Sequence, residues 1–515
     1  MQPPNPPGRR LAALALLVAG GCGGSGERPN VVLISIDSLR ADHLGCYGYA
    51  RDTSPGVDRI ASEGARFEQH IASSTWTLPS HAALFTSLPD SLHGCTDTDR
   101  VLAPEAVTLA ERFRAAGYET AGFFSGPYLH PAFGFGQGFD RYEDCTSYAA
   151  LTAGGPPASW ANRPDLNEAA HRDVTGPRVL EAVRRWFGAR SRKPFFLFVH
   201  LWDVHFDYNP PPPFDKKYDA DYRGKISGRG FLSDPRIKPG MNPRDLEHLI
   251  ALYDGEIAWT DTIVAGLREM LEKGGDLDRT VLAITADHGT EFFEHGSKAH
   301  RQTLYDEVIH VPFVLRFPPR VPARTSIAVQ TRSIDVGPTL LELAGLPPPA
   351  DVMGRSLLAR IAAPSIPDPA ATSTRDRAAP PAPDRIAPSA VGAAAPEEDR
   401  AVSELCTDGR NVRSVRTTAW KLVDDMARDT HYYFDLQGDR GEGVKRGDFG
   451  GDLGRAAEAG YLEEVRAIRS FGQSHAVPAE HATGRSAIPS AVVEDLKRLG
   501  YVGGPEGGTA SGSRH

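Results

Sequence analysis

The sequence predicts an α/β fold: a mainly parallel mixed sheet sandwiched by helices, with a smaller C-terminal α+β subdomain. Apolar runs of strand length alternate with helix-length stretches from residue 28 to 358. Three of those runs end on an acid or a histidine. An Ala/Pro-rich break then precedes a short tail of strands and helices.

The elements follow in chain order. NVVLISI (30–36) is apolar and β-branched, and it stops at Asp37. SSTWTLPSHAALFTS (73–87) starts a short apolar helix in which Thr77 reads in two ways. It is either an N-cap ahead of Pro79, or a nucleophile held where free N–H groups favour a bound anion. A helix is expected over 105–116, closed by Gly117. PFFLFV (194–199) is a second strand, ending at His200 and followed by Asp203 and His205. Ile257, Val264, Leu267 and Leu271 form a helical stripe within 244–273, stopped by Gly274-Gly275. RTVLAITA (279–286) is a third strand, ending at Asp287 and His288.

Residues 359–400 lack periodicity and are rich in Ala and Pro, as a solvated linker or insertion would be. In the subdomain spanning 401–502, TTAWKLVDD and HYYFDLQG read as strands. Helices are expected near 453–470 and 490–499, the latter with Val493, Leu496 and Leu499 on one face. Residues 503–515 are Gly/Ser-rich and expected to be disordered.

At 515 residues and 40% hydrophobic, the chain has ample material for a large core. A net charge of −9 without a long basic run argues against nucleic acid as a partner. Residues 1–27 read as a signal peptide and tether: Arg9 and Arg10 precede LAALALLVAG, which is too short to span a bilayer. AGGC then resembles a bacterial lipobox with Cys22 lipidated, the alternative being ordinary signal-peptide cleavage. The expectation is an exported lipoprotein of the cell envelope, in the periplasm or at the cell surface, held to the membrane only through lipid on Cys22. Cys46, Cys95, Cys145 and Cys406 would then meet an oxidising compartment, where Cys95–Cys145 is a possible disulfide.

In an open α/β sheet, ligands bind beyond the carboxyl ends of the strands. Asp and His also occur there as caps and turn formers, but three such endings together point to a site. Asp37, Asp287 and His288 would offer carboxylate oxygens and an imidazole nitrogen to one divalent cation, Mn²⁺, Zn²⁺, Mg²⁺ or Ca²⁺, the histidine favouring Mn²⁺ or Zn²⁺. With Thr77 as a further ligand, the cation would acidify its hydroxyl into a nucleophile.

These residues sit in RPNVVLISIDSLRADHLGCYGY (28–49), TWTLPSHAALFTSL (75–88), FLFVHLWDVHFDYNPPPPF (196–214) and TVLAITADHGTEFFEHG (280–296). LYDEVIHVPFV (304–314), SIDVGPTLLELAGLP (333–347), WKLV, YYFDLQGD and LKRLGYV follow in order. Together they resemble the sulfatase branch of the alkaline-phosphatase superfamily, which implies an alkaline-phosphatase-like sheet and a sulfatase-like catalytic domain over 28–358. The resemblance implies Asp37, Asp287 and His288 as metal ligands and Thr77 as nucleophile. It also implies contact of His205 with the transferred group or its leaving group, and of His300 or Arg301 with an anionic oxygen. His200 reads as a supporting or core histidine, and Lys298 as a further clamp or a plain loop lysine.

The sequence departs from the family pattern in three places. Thr77 stands where sulfatases carry a Cys or Ser that is oxidised to formylglycine, and His81 stands where they carry Arg, which makes it a candidate site residue. Ser38 stands where many place another metal-binding Asp. Threonine on a single metal instead resembles the phospho-transferring members. The expected activity is hydrolysis of a sulfate or phosphate ester on a small molecule or glycan. The alternatives are transfer of a phospho-group to an envelope lipid or glycan, phosphodiester or phosphonate monoester hydrolysis, or a binding protein on the same scaffold. Loops 90–100, 128–172 and 209–243 would set specificity.

Overall fold

The computed structural model of the chain describes residues 28–147, 174–362, 400–407 and 409–475. The signal-peptide, 490–499 helix and 503–515 expectations lie outside these residues, as does all of the linker expectation except its two ends.

The large sheet takes its strands in chain order from β1 (Asn30–Ile36), β2 (Ala65–Ile71), β3 (Glu119–Phe124), β4 (Arg141–Asp144), β5 (Phe195–Leu201) and β6 (Thr280–Ala286). A short pair, β7 (Glu291–Phe292) and β8 (Lys298–Ala299), stands apart, and β9 (His310–Arg316) and β10 (Thr325–Arg332) return to the large sheet. The order is β10-β2-β9-β6-β1-β5-β3-β4, parallel throughout except for β9, which runs against β2 and β6. The predicted mainly parallel mixed sheet is therefore observed.

Alternation along the central strands builds two cores. Val32, Ile34 and Ile36 of β1 join Leu197, Val199 and Leu201 of β5 on one face. Val31 and Leu33 join Phe196 and Phe198 on the other. Both faces are covered, which is why these strands read as unbroken apolar runs. The first face packs α1 (Pro55–Ser62) through Val57 and Ile60. The second packs α2 (Thr77–Thr86) through Leu78, Ala82 and Phe85. Each of these Val, Ile, Leu and Phe side chains stabilises the fold by about 1.5–3 kcal/mol relative to exposure.

Further helices of the main unit complete the layers. α3 (Leu109–Ala115) starts four residues later than expected, because the Thr108 hydroxyl and the Glu111 carboxylate form a capping box. α4 (Gly176–Ala189) and α5 (Pro243–Lys273) pack on the first face through Val179, Val183, Ile257 and Leu267. α6 (Val336–Leu343) packs on the second through Val336 and Leu340.

The smaller unit is an antiparallel sheet of β11 (Ala401–Leu405), β12 (Val412–Arg416), β13 (Trp420–Asp425) and β14 (Thr430–Asp435). It carries α7 (Asp452–Ser474), whose Ala457 and Ile468 pack on Trp420 and Leu422. Two of the four strands were not legible beforehand. The buried Lys421 ammonium pairs with Asp306 at 3.0 Å and with Glu442, tying this sheet to the main unit. Among the described residues, no helix is long and apolar enough to cross a membrane.

Two expectations are overturned. Cys95 and Cys145 are not bridged: both are buried free thiols, in the cores on opposite sides of the sheet, so no disulfide can join them without crossing it. Thr77 is not the N-cap of α2. Trp76 takes that place, and the Thr77 hydroxyl is drawn to a carboxylate instead.

Candidate functional site

The site follows from register. In the run β6-β1-β5, Ile36 lies opposite both Ala286 and Leu201. The next residues of β1 and β6, Asp37 and Asp287, therefore emerge side by side on strands about 4.8 Å apart. Ser35, His200 and Thr285 share one register row, on the face that packs α2. Two residues past Ser35, Asp37 points back to the same face and meets the start of α2.

There the Thr77 hydroxyl donates to Asp37 Oδ2 at 3.1 Å. Asp37 Oδ1 accepts from the Ser38 hydroxyl at 2.7 Å. Asp287 Oδ1 accepts from the backbone N–H groups of Ser38 (3.2 Å) and His288 (2.9 Å). Ser38 has φ 55°, a left-handed conformation that turns the chain sharply behind Asp37. That small backbone strain is stored at the site.

The ligand atoms of Asp37, Asp287 and His288 all lie within 4.8 Å of one another, and all three residues are buried. His288 gives its Nδ1–H to the Gly289 carbonyl at 2.8 Å, which leaves the Nε2 lone pair 3.4 Å from Asp287 Oδ2. Neither His288 Nε2 nor Asp287 Oδ2 has a hydrogen-bond partner. Burying a carboxylate oxygen and an imidazole lone pair unmatched is costly, and a divalent cation between them removes the cost. The donor set fits such a cation.

Electrostatics agree with that reading. Burial pushes the Asp37 carboxyl up, but the surrounding imidazoles of His200, His205 and His288 outweigh it and hold Asp37 below the usual carboxylate range. Burial, then the charge of Asp37, push Asp287 well above it. Burial also lowers the imidazoles of His81, His288 and His300.

The other sequence-derived candidates divide. His300 and His205 belong to the cluster: the His300 ring is 4.4 Å from that of His288 and 5.1 Å from that of His205. His205 is held by stacking on Trp202 at 3.8 Å. His81 is fully buried beneath Thr77 with both nitrogens engaged, Nδ1 on the Thr77 carbonyl (2.8 Å) and Nε2 on the Ser35 hydroxyl (2.9 Å). His200 lies inside β5 rather than beyond it, gives Nδ1–H to the Ser125 carbonyl at 2.6 Å, and holds Nε2 3.5 Å from Asp37. His81, His200 and Asp287 form a second set of neighbouring ligand atoms, but His81 Nδ1 is committed to its carbonyl.

Arg301 and Lys298 turn away. The Arg301 guanidinium lies 4.1 Å over the Trp76 ring and donates to Thr407 of the small unit. The Lys298 ammonium is half-buried and donates to the carbonyls of Phe231 (2.7 Å) and Ile237 (2.8 Å), bracing the loop before α5. Asp203 is structural: it accepts from the N–H groups of Thr175 and Gly176 at the start of α4. Ser35, Ser125 and Tyr253 escaped the sequence reading. Ser35 had a signal, a hydroxyl inside an otherwise apolar strand; Ser125 and Tyr253 had none.

A family model described as Sulfatase matches residues 29–346. The N-acetylglucosamine-6-O-sulfatase of Bacteroides thetaiotaomicron is 23% identical over 400 residues, covering 64% of this chain and 70% of its own. Among solved structures, a protein bound to its substrate D-glucosamine-2-N,6-O-disulfate aligns with TM-score 0.64 at 18% identity, over 88% of this chain and 99% of its own. The phosphonate monoester hydrolase of Agrobacterium radiobacter aligns with TM-score 0.64 at 21% identity, over 87% of this chain and 96% of its own. At these identities the two structures speak for the fold.

Proposed function

The chain belongs to the sulfatase family, and from that premise we propose that it is a metal-dependent sulfate ester hydrolase using Thr77 as its nucleophile. The observation that carries this reading is the Thr77 hydroxyl on Asp37, beside two ligand atoms buried without partners. Asp37, Asp287 and His288 would hold the cation, with the Thr77 hydroxyl at its edge. A divalent ion there lowers the pKa of a neighbouring hydroxyl and offsets charge gathering on the transferred group.

The remaining work falls to the chain. Asp37 Oδ2 accepts the Thr77 hydroxyl and so orients Oγ1 for attack on sulfur, the hydroxyl proton passing to water as the bond forms. The bond from sulfur to the leaving oxygen breaks as the new one forms, and water later releases sulfate from the threonine. His205 and His300 present imidazoles to the ester oxygens or the leaving group. His81, doubly bonded, holds the first turn of α2 rather than reacting.

A second reading is hydrolysis or transfer at phosphorus. Thr77 itself favours it, since an unoxidised hydroxyl takes the place of formylglycine, and the fold shared with phosphonate monoester hydrolases is consistent with it. Export and a lipid tether at Cys22 belong to the same proposal, with an ester on an envelope or extracellular saccharide as substrate.

The test is a panel of sulfate monoesters, phosphate mono- and diesters and phosphonate monoesters, each with Mn²⁺, Zn²⁺ or Ca²⁺, with and without an alcohol acceptor. Preferred turnover of sulfate monoesters supports the first reading. Preference for phosphorus esters replaces it with the second, and product only with acceptor makes the enzyme a transferase.

A further inference from the structure

Helix α2 begins without the bond that ordinarily starts a helix. Its N-cap residue, Trp76, makes no side-chain bond to the first turn, and the Thr77 hydroxyl is committed to Asp37. The aim of Thr77 therefore depends on what holds this turn from outside the helix. His81 is one such hold, through the Thr77 carbonyl and the Ser35 hydroxyl.

Arg301 is another. Its backbone N–H donates to the Thr75 carbonyl at 3.3 Å, and its guanidinium lies 4.1 Å over the Trp76 ring. Tyr128 meets the same ring in a T-shaped contact at 5.1 Å. Trp76 is buried, so turning its ring means displacing the guanidinium. Arg301 has φ 67°, a left-handed conformation, and neighbouring side chains there serve different places. His300 faces His288, while Arg301 faces the start of α2.

The small unit seats Arg301 in turn. The guanidinium donates to the Thr407 hydroxyl at 2.9 Å, and that hydroxyl donates to Asp97 at 2.9 Å. Arg410 and Lys421 donate to the carbonyls of Gln302 (2.9 Å) and Leu304 (2.8 Å). Strand β11 holds the approach to α2 as well. The Glu404 N–H donates to the Ser73 carbonyl at 2.8 Å, and the Ser403 hydroxyl donates to the Ala72 carbonyl at 2.6 Å. The two stretches that meet at Thr75 and Arg301 are thus fixed to one sheet.

We propose that Arg301 is a positioning residue for Thr77. Seated by Thr407, its guanidinium fixes Trp76 and so keeps the first turn of α2 where Oγ1 meets Asp37. This rests on the reading of Thr77 as nucleophile for its effect on rate, but not for the hold itself. An anionic clamp, the role that the motif implies for Arg301, acts on substrate binding; a positioning residue acts on the rate once substrate is bound.

The experiment compares the full wild-type chain with Arg301→Met, Arg301→Lys and Thr407→Val. Amide hydrogen exchange is read across 76–82, where the Ser80 N–H bonds the Trp76 carbonyl at 3.2 Å. Turnover with added Mn²⁺ is read on p-nitrophenyl sulfate and on p-nitrophenyl phenylphosphonate. Arg301→Met should exchange about tenfold faster there and lose about tenfold or more in kcat, with KM unchanged. Arg301→Lys, which keeps a cation for the ring, should recover part of both. Thr407→Val should move both in the same direction by a smaller factor, and it decides the matter if Arg301→Met does not fold.

Unchanged exchange in both Arg301→Met and Thr407→Val overturns the proposal. Faster exchange at an unchanged kcat makes Arg301 a packing residue only, and a raised KM at an unchanged kcat makes it an anion clamp; either overturns it too. If the wild-type chain hydrolyses neither ester, the proposed function falls, and exchange alone decides whether Arg301 holds the start of α2.

Discussion

Tyr253 pins Ser38: its phenol donates to the Ser38 carbonyl at 2.9 Å and accepts the Arg40 N–H at 3.0 Å. One fully buried hydroxyl on α5 thereby holds the left-handed turn that carries Asp37 on one side and reaches Asp287 on the other.

Tyr253→Phe keeps the ring and its packing and removes both bonds. Stability should drop by about 1 kcal/mol, while the dissociation constant for Mn²⁺ rises about tenfold, as when a group supporting metal ligands is lost. Metal titration calorimetry separates the two effects. An unchanged dissociation constant at reduced stability would make Tyr253 a packing residue only.

Thr77→Ala should cost about 10³-fold or more in kcat, because no other hydroxyl replaces the attacking oxygen. Thr77→Ser should recover part of the rate. Stopped assays on the best ester of the panel decide this, and wild-type turnover by the alanine variant ends the nucleophile assignment.

Asp287→Ala removes the oxygen left without a hydrogen bond beside His288 Nε2. Elemental analysis of the purified variant should find metal near zero against about one equivalent in the wild type. Chelator should lower the wild-type melting temperature, a saturating ion at a hundredfold its dissociation constant being worth about 2.7 kcal/mol. Stoichiometric metal in the variant would contradict the ligand set.

Glu291 gives a pH test away from the ligands. Burial, together with the charges of Glu307 and Glu294, pushes its carboxyl up to about 7, although Thr303 donates to it at 2.7 Å. The folded chain thus holds this proton more tightly than the unfolded chain. The penalty is absent below the unfolded value near 4.5, grows as pH rises, and is complete above about 7. Glu291→Gln should be more stable than wild type at pH 8, by on the order of 2–3 kcal/mol, and no more stable at pH 4. Denaturant melts at the two values check the sign.

The three central strands, the long helix α5 and the polar residues at the strand ends could be read directly from the chain. Each is local: an apolar run long enough to be buried on both faces, a helical stripe, a carboxylate where a strand must stop. Strands β2 and β10 were harder, since their mixed residues (ARFEQHI and TSIAVQTR) carry burial only in part. Likewise β11 and β12 are short, and pairing rather than pattern makes them strands.

The sequence by itself determined the class of fold, the family motifs and the residues able to bind a cation, because strand periodicity and side-chain chemistry are properties of the chain. Tertiary structure decided which of those residues meet. Register set Asp37 beside Asp287 and aimed Thr77 at a carboxylate instead of its own helix. It also put Cys95 and Cys145 on opposite sides of the sheet, and turned Arg301 and Lys298 elsewhere. These are distances between residues remote in sequence, and only the packing of strands and helices against one another fixes them.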